Sequence, residues 1–141
     1  MATIVLVPGF WLGAWAWDAV AAGGHDVHAV TLSGPGDGVD AETHVADAVR
    51  AVEGTGRDDV VLVGHSGGGP VVAAAAERVR VGHVVHVDTG PLPDGWANVD
   101  FFDSELAAVT RENIAGPGRG VAHPMLPDEV LGRGGALEQC R

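Results

Sequence analysis

Apolar residues along the chain fall into four short runs that are rich in valine. The runs span residues 3–7, 27–31, 59–63 and 83–87. They barely alternate between apolar and polar residues, which is typical of strands buried on both faces of a parallel sheet. The segments between them have helical spacing or glycine and proline boundaries, and these predicted helices span residues 11–22, 41–52 and 70–78.

The alternation of strand and helix predicts the class of fold. It is typical of α/β proteins with right-handed crossovers and a doubly wound, mostly parallel sheet. Ligands of such sheets bind beyond the carboxyl ends of the strands. After Asp88 the alternation stops, and only one further helix, over residues 104–114, is predicted. We therefore expect one domain over residues 1–141, with a regular core at 1–90 and a reduced cap and carboxyl-terminal region at 91–141.

The composition excludes several classes of function. A formal net charge of -11 argues against nucleic acid as a partner, because neutralising phosphates requires clustered basic residues. The chain has no Lys and no Tyr, which excludes Schiff-base chemistry, a phosphate-loop lysine and the Tyr/Lys pair of short-chain dehydrogenases. Cys140 is the sole cysteine, so we expect no disulfide and no cysteine zinc cluster. The acidic residues Asp37, Asp40 and Glu42 are interpreted as turn and helix-cap residues, and we predict neither a metal nor a cofactor.

The distribution of apolar residues also bears on location. No apolar run approaches the roughly 18 residues that a membrane span needs. The chain opens on the strand-like segment ATIVLV rather than on the basic and apolar regions of a secretory signal. We therefore expect a cytoplasmic protein without a membrane partner.

A glycine-rich turn joins the third predicted strand to the third predicted helix. Its sequence, Gly64-His65-Ser66-Gly67-Gly68, matches the G-x-S-x-G pattern of a nucleophile elbow. Because a serine there needs a strained backbone, the residues two positions away must lack side chains, and Gly64 and Gly68 meet that need. The turn would raise the Ser66 hydroxyl above the sheet edge and aim the N–H of Gly67, at the helix start, toward a developing oxyanion.

Other interpretations of the glycine-rich turn are phosphate binding and a purely structural role. A phosphate loop would need lysine after Gly69, and a dinucleotide loop would need glycine at position 70. Pro70 satisfies neither pattern. A structural tight turn remains the alternative to a nucleophile elbow.

Two further segments accompany the turn. Residues 4–17 read IVLVPGFWLGAWAW and residues 84–93 read VVHVDTGPLP. Together with VLVGHSGGG at 61–69, they resemble the α/β-hydrolase superfamily, in its branch of small esterases and hydroxynitrile-lyase-like proteins. The resemblance implies a reduced three-layer sandwich. In that family the residue after the His-Gly of the first loop donates the second oxyanion-hole N–H, which implies this role for Phe10, with Pro8 in place of the histidine.

A serine nucleophile needs a histidine that takes its proton. His83 and His86 lie three residues apart in one predicted strand and so point to opposite faces, which argues against both as the base and against a metal pair. The segment AHPMLPDE at residues 122–129 resembles the family's catalytic-histidine segment with one residue fewer. This resemblance implies that His123 is the base.

The carboxylate that orients the histidine is less constrained. Asp88 is the best placed, because it ends a predicted strand at the same sheet edge as the serine turn. A role in capping the turn that follows is the alternative for this residue. The other candidate acids are Asp94, Asp100, Asp103 and Asp128.

The expected function is that of a serine hydrolase that cleaves a small uncharged ester or related acyl substrate without a cofactor. The alternative is a shortened relative, catalytically weak or inactive, that binds a small ligand or a partner; it rests on the strand-poor sequence after Asp88. A nucleotide-binding oxidoreductase is disfavoured by Pro70 and by the missing Lys and Tyr. Sheet edges left exposed by missing strands favour pairing with a second chain, so a homodimer is a further expectation.

Overall fold

Strands and helices alternate through the structure, a computed structural model that describes residues 2–10, 12–34, 39–97, 100 and 103–115. The elements in chain order are β1 (Thr3–Val7), a 3-10 helix (Ala14–Trp17), α1 (Asp18–Ala21), β2 (Asp26–Ala29), α2 (Ala41–Gly54), β3 (Val61–His65), α3 (Gly68–Ala76), β4 (His83–Val87) and α4 (Ser104–Ala115). No helix in the described ranges is both long and apolar enough to cross a membrane.

The chain divides after Leu92 into two compact units, Met1–Leu92 and Pro93–Arg141. All elements from β1 to β4 belong to the first unit, and α4 belongs to the second. The single domain expected over residues 1–141 stays a prediction.

The four strands form one parallel sheet in the order β2-β1-β3-β4. The chain moves from β1 to β2 in one direction along the sheet, and from β2 past β1 to β3 in the other. Because parallel crossovers are right-handed, α1 and α2 lie on opposite faces of the sheet. The predicted doubly wound parallel sheet is therefore confirmed.

The central strands β1 and β3 form the core with α2 and α3. Val5, Val7 and Leu62 on these strands are completely buried. They pack in one cluster with buried helix residues, which are Val45, Ala48, Val52, Val71, Val72 and Ala75. Removing this apolar surface from water is the main source of the fold's stability.

The outer strands β2 and β4 are less buried than the sequence predicts. Side chains along both strands alternate between exposed and half-buried. Val85 and Val87 on β4 are 42% and 40% exposed. The prediction that all four strands are buried on both faces is therefore wrong for β2 and β4, because each lies at an edge of the sheet and has fewer neighbours to cover it.

The first helical segment is shorter than predicted. Instead of one helix over residues 11–22, a 3-10 helix is followed by the single turn of α1. The N–H of Ala14 donates to the side-chain oxygen of Thr31 at 3.0 Å, which ties the start of the segment to the chain beyond β2. Gly24, with a φ of +81°, follows its end, in agreement with the glycine boundary predicted after residue 22.

Helix α2 begins at a capping box. The Asp40 carboxylate accepts the N–H of Thr43 at 2.9 Å, and the Thr43 hydroxyl oxygen accepts the N–H of Asp40 at 3.4 Å. The hydrogen bond from the Thr43 N–H holds the pKa of the Asp40 carboxyl below its ordinary value. The helix-cap role predicted for Asp40 is confirmed. In the first turn of α2, the Glu42 carboxylate pairs with both terminal nitrogens of Arg78, which follows α3, and so links the two helices.

Truncating a core side chain tests the packing. Leu62→Ala removes a completely buried side chain from β3 and is expected to lower the free energy of unfolding by about 2–5 kcal/mol. Val20→Ala on α1, where the side chain is 45% exposed, is the control and is expected to change it by less than about 0.5 kcal/mol. Urea unfolding followed by circular dichroism measures both, and equal effects would contradict the described core.

Candidate active site

The serine turn lies between the carboxyl end of β3 and the amino end of α3. Ser66 has a φ of +49°, in the left-handed region that residues other than glycine rarely adopt. Two main-chain hydrogen bonds hold it there. The N–H of Ser66 donates to the carbonyl of Val87 at 3.1 Å, and the N–H of Gly69 donates to the carbonyl of Ser66 at 2.9 Å. The end of β4 and the first turn of α3 therefore maintain the strained backbone at Ser66.

The glycines two residues before and after Ser66 have no room for a side chain. A Cβ on Gly64 would lie 2.6 Å from a Val72 methyl and 2.7 Å from the carbonyl oxygen of Gly68. A Cβ on Gly68 would lie 2.7 Å from the carbonyl oxygen of Pro8, in the loop after β1. These two glycines let β3, α3 and the loop after β1 approach one another more closely than any side chain would allow.

The loop after β1 lies against the serine turn. A Cβ on Gly9 would lie 3.0 Å from both the Nδ1 atom of His65 and the Cβ of Ser66. The ring of Phe10 covers Gly67, since three ring carbons would lie 2.6, 2.7 and 2.8 Å from a Cβ there. The structure thus brings together the two residues expected to donate the oxyanion-hole N–H groups, beside the expected nucleophile.

Gly67 occupies the N-cap position of α3, with a φ of -59°. The N–H groups at the start of a helix have no acceptor within the helix, and the helix dipole makes this end electropositive. The backbone at this end of α3 is therefore a favourable environment for an anion.

Asp88 follows β4 at the same edge of the sheet. The residue before it, Val87, accepts the N–H of Ser66, so Asp88 and Ser66 extend from the ends of neighbouring strands. Asp88 has a φ of +52°, and Ser66 is the other non-glycine residue with a positive φ in the described ranges. The next residue, Thr89, packs against Gly69, where a Cβ would lie 2.3 Å from the Thr89 hydroxyl oxygen. Gly69, in the first turn of α3, therefore contacts both Ser66 and the residue after Asp88.

The other candidate acids divide into described and undescribed residues. Asp128, like the expected base His123, lies outside the described residues. Asp94 lies in a turn of the second unit. Of the candidate acids that the structure describes, only Asp88 directly follows a strand.

Asp100 and Asp103 accept hydrogen bonds from nearby residues of the second unit. Asp100 accepts the N–H of Ala97 at 2.7 Å and pairs with the guanidinium of Arg111 at 2.6 Å. The Ala97 hydrogen bond, helped by Arg111, holds the pKa of the Asp100 carboxyl below its ordinary value. Asp103 accepts the N–H of Leu106 at 2.9 Å at the start of α4, as a helix cap does. These contacts give both residues structural roles.

The two histidines of β4 are arranged as the strand period predicts. His83 is exposed, whereas His86 is half-buried and has a buried Nδ1 atom without a hydrogen-bond partner among the described residues. Among all residues that the structure describes, no group of three or more His, Cys, Asp or Glu side chains could hold a metal ion.

Sequence reasoning missed one contact at the turn. The ring of Trp17, the last residue of the 3-10 helix, meets the ring of His65 edge to face, with centroids 6.2 Å apart and planes at 89°. No spacing or motif pairs these residues, because the contact arises only when the segment after β1 folds back onto the sheet edge. The one available signal was the tryptophan-rich segment that carries part of the resemblance.

The family of the chain follows from comparison with known proteins. The model of the alpha/beta hydrolase family matches residues 4–138, so the chain belongs to this family. A carbendazim hydrolyzing esterase of Nocardioides sp. (strain SG-4G) is 38% identical over an alignment of 101 residues, and the match covers 62% of this chain. The recognition of an α/β hydrolase from the serine turn and its flanking segments is thereby confirmed.

Solved structures agree with the fold. An extracellular alpha/beta-hydrolase of a Paenibacillus species, described as sharing structural and functional homology with tobacco salicylic acid binding protein 2, superposes with a TM-score of 0.78 over 93% of this chain at 26% identity. The epoxide hydrolase CorEH superposes with a TM-score of 0.61 over 85% of the chain at 24% identity, and this likeness bears on the fold alone. The chain spans 42% of the length of the Nocardioides esterase and 57% and 47% of these two structures.

Adding one methyl group at the turn tests the close approach. Gly64→Ala places a Cβ within 2.7 Å of backbone, so the structure must shift, and we expect a loss of roughly 1–3 kcal/mol in the free energy of unfolding. Gly54→Ala at the end of α2 is the matched control, because a Cβ there meets nothing within 4 Å. Thermal unfolding compares the two variants, and equal stability would contradict the described approach.

Proposed function

We propose that the protein is a serine hydrolase that cleaves a small uncharged ester or related acyl compound, with Ser66 as the nucleophile. The observation that carries the proposal is the left-handed backbone of Ser66 at the end of a central strand, held by contacts that exclude side chains at Gly64 and Gly68. Such strain costs stability and persists where surrounding structure enforces it, often at functional sites. The esterase relative supports the same reaction class.

In the proposed reaction, the Oγ atom of Ser66 bonds to the acyl carbon while its proton passes to His123. The carbonyl electron pair moves onto oxygen, and the N–H groups of Phe10 and Gly67 donate to the resulting oxyanion. The bond to the alcohol then breaks, and the alcohol takes the proton from His123. A water molecule activated by His123 hydrolyses the acyl-enzyme and restores Ser66. Asp88 orients His123 throughout.

The charge distribution supports an uncharged substrate. Every described arginine of the first unit pairs with a carboxylate: Arg50 with Asp47, Arg57 with Asp59, Arg78 with Glu42, and Arg80 with Asp58. The residues packed around the turn present glycine backbone and the rings of Phe10 and Trp17. The described part of the first unit therefore contains no unpaired arginine for an anionic substrate.

The second candidate function is that of a catalytically weak or inactive relative that binds a small ligand or a partner. The sequence after Asp88, where the structure describes a helix and no strand, favours it, because catalysis requires the base and the orienting acid to be held within fractions of an ångström. In this case the serine turn would have a structural role only, and no base would activate the Ser66 hydroxyl.

Active-site labelling separates the two candidates. Under the proposed function, a fluorophosphonate probe adds one phosphonyl group to the chain, and Ser66→Ala removes the adduct, because only an activated hydroxyl displaces the fluoride. Ser104→Ala, at the start of α4, is the matched control and should label like the parent. Intact-mass spectrometry measures the adduct. A folded parent without an adduct, or with one that Ser66→Ala retains, would contradict the hydrolase proposal.

A further inference from the structure

The ring of His65 contacts two parts of the segment after β1. On the loop side, the site where Gly9 would carry a Cβ lies 3.0 Å from the His65 Nδ1 atom and 3.3 Å from the His65 carbonyl oxygen. On the helix side, the ring meets Trp17 edge to face. His65 is therefore packed against both the loop that carries Phe10 and the helix that follows this loop.

Local hydrogen bonds stabilise two turns in the segment between these two contacts. The N–H of Leu12 donates to the carbonyl of Gly9 at 3.3 Å, and the N–H of Ala16 donates to the carbonyl of Gly13 at 3.1 Å. Ala14 is in turn bonded to Thr31, beyond β2. These bonds restrain described residues on the chain path between Gly9 and Trp17.

Trp17 acts in this contact through its ring. Its Nε1 atom is buried, yet no hydrogen-bond partner for it occurs in the described part of the chain. A buried donor without a partner costs stability, so the N–H does not explain why the ring is there. An edge-to-face contact with the imidazole is the interaction that the indole gains.

We propose that His65 and Trp17 are positioning residues, which together hold the Gly9–Phe10 peptide and its N–H against the serine turn. The proposal rests on the proposed function, in which the Phe10 N–H donates to the oxyanion. A donor of this kind acts in the transition state and little in the ground state, so a small displacement lowers the rate without weakening binding. Neither side chain itself touches the reacting atoms in this account.

The test compares variants by the kinetics of fluorophosphonate labelling. Trp17→Leu removes the aromatic ring and is expected to lower the limiting rate of labelling by about 10-fold to 100-fold, with the half-saturating probe concentration within about 2-fold of the parent. Trp17→Phe loses the N–H and part of the ring area but keeps an aromatic ring that can meet the imidazole edge to face, so it should retain a rate within about 3-fold. His28→Gln, on the exposed part of β2, is the matched histidine control and should behave as the parent.

The double variant tests whether the two residues act through one contact. His65→Gln should lower the limiting rate as Trp17→Leu does, and the combined variant should be no more than about 3-fold slower than the slower single variant. The proposal would be overturned if the rate reductions of the two single variants multiply in the double variant. It would also be overturned if folded Trp17→Leu labels at the parent's rate, or if Trp17→Phe loses as much rate as Trp17→Leu. If Trp17→Leu does not fold, His65→Gln tests the same contact from the other side.

A measurement that needs no reaction separates this proposal from the proposed function. In ¹⁵N–¹H spectra, Trp17→Leu should shift the amide resonances of Phe10 and Gly67, whereas His28→Gln should leave them in place. Absence of that shift overturns the positioning role even if the parent labels. A parent that never labels, with the shift present, overturns the hydrolase function and leaves the structural coupling intact.

Discussion

The close approach of three backbone segments at Ser66 is the constraint on which the rest of the site depends. The end of β3, the first turn of α3 and the loop after β1 meet where Gly64 and Gly68 carry no side chains. This approach forces Ser66 into a left-handed conformation, with its N–H bonded to the end of β4. The same approach places the Phe10 ring on Gly67. The backbone geometry proposed for catalysis is therefore a consequence of packing between central elements.

The position of the turn in the sheet explains why this packing can be maintained. β1 and β3 are the buried central strands, so the segments that leave their carboxyl ends start from the most rigid part of the first unit. β4 contributes through the Val87 carbonyl and through Thr89 against Gly69, although its own side chains are largely exposed. The proposed nucleophile and oxyanion donors thus depend on the core, and Asp88 depends on an edge strand.

Sequence patterns predicted the features that local chemistry determines. The Val-rich runs identified all four strands, and the glycines of the turn predicted its backbone strain, since both depend on residues close in the chain. The exposure of β2 and β4 was not predicted, because apolar runs do not reveal which strands lie at the edges. The sequence also did not predict the contact between Trp17 and His65 or the positive φ of Asp88, because each arises from the approach of segments distant in sequence. The role of His123 was inferred from resemblance, and this residue lies outside the described part of the chain.

A crystal structure of the chain after reaction with the fluorophosphonate probe is the most direct test of the central claim. The account predicts phosphorus bonded to Ser66 Oγ, with the phosphoryl oxygen about 2.7–3.1 Å from the backbone nitrogens of both Phe10 and Gly67. That result would show that the close approach at the turn builds an oxyanion site. A phosphoryl oxygen directed away from both nitrogens, or phosphorus bonded to another residue, would contradict it.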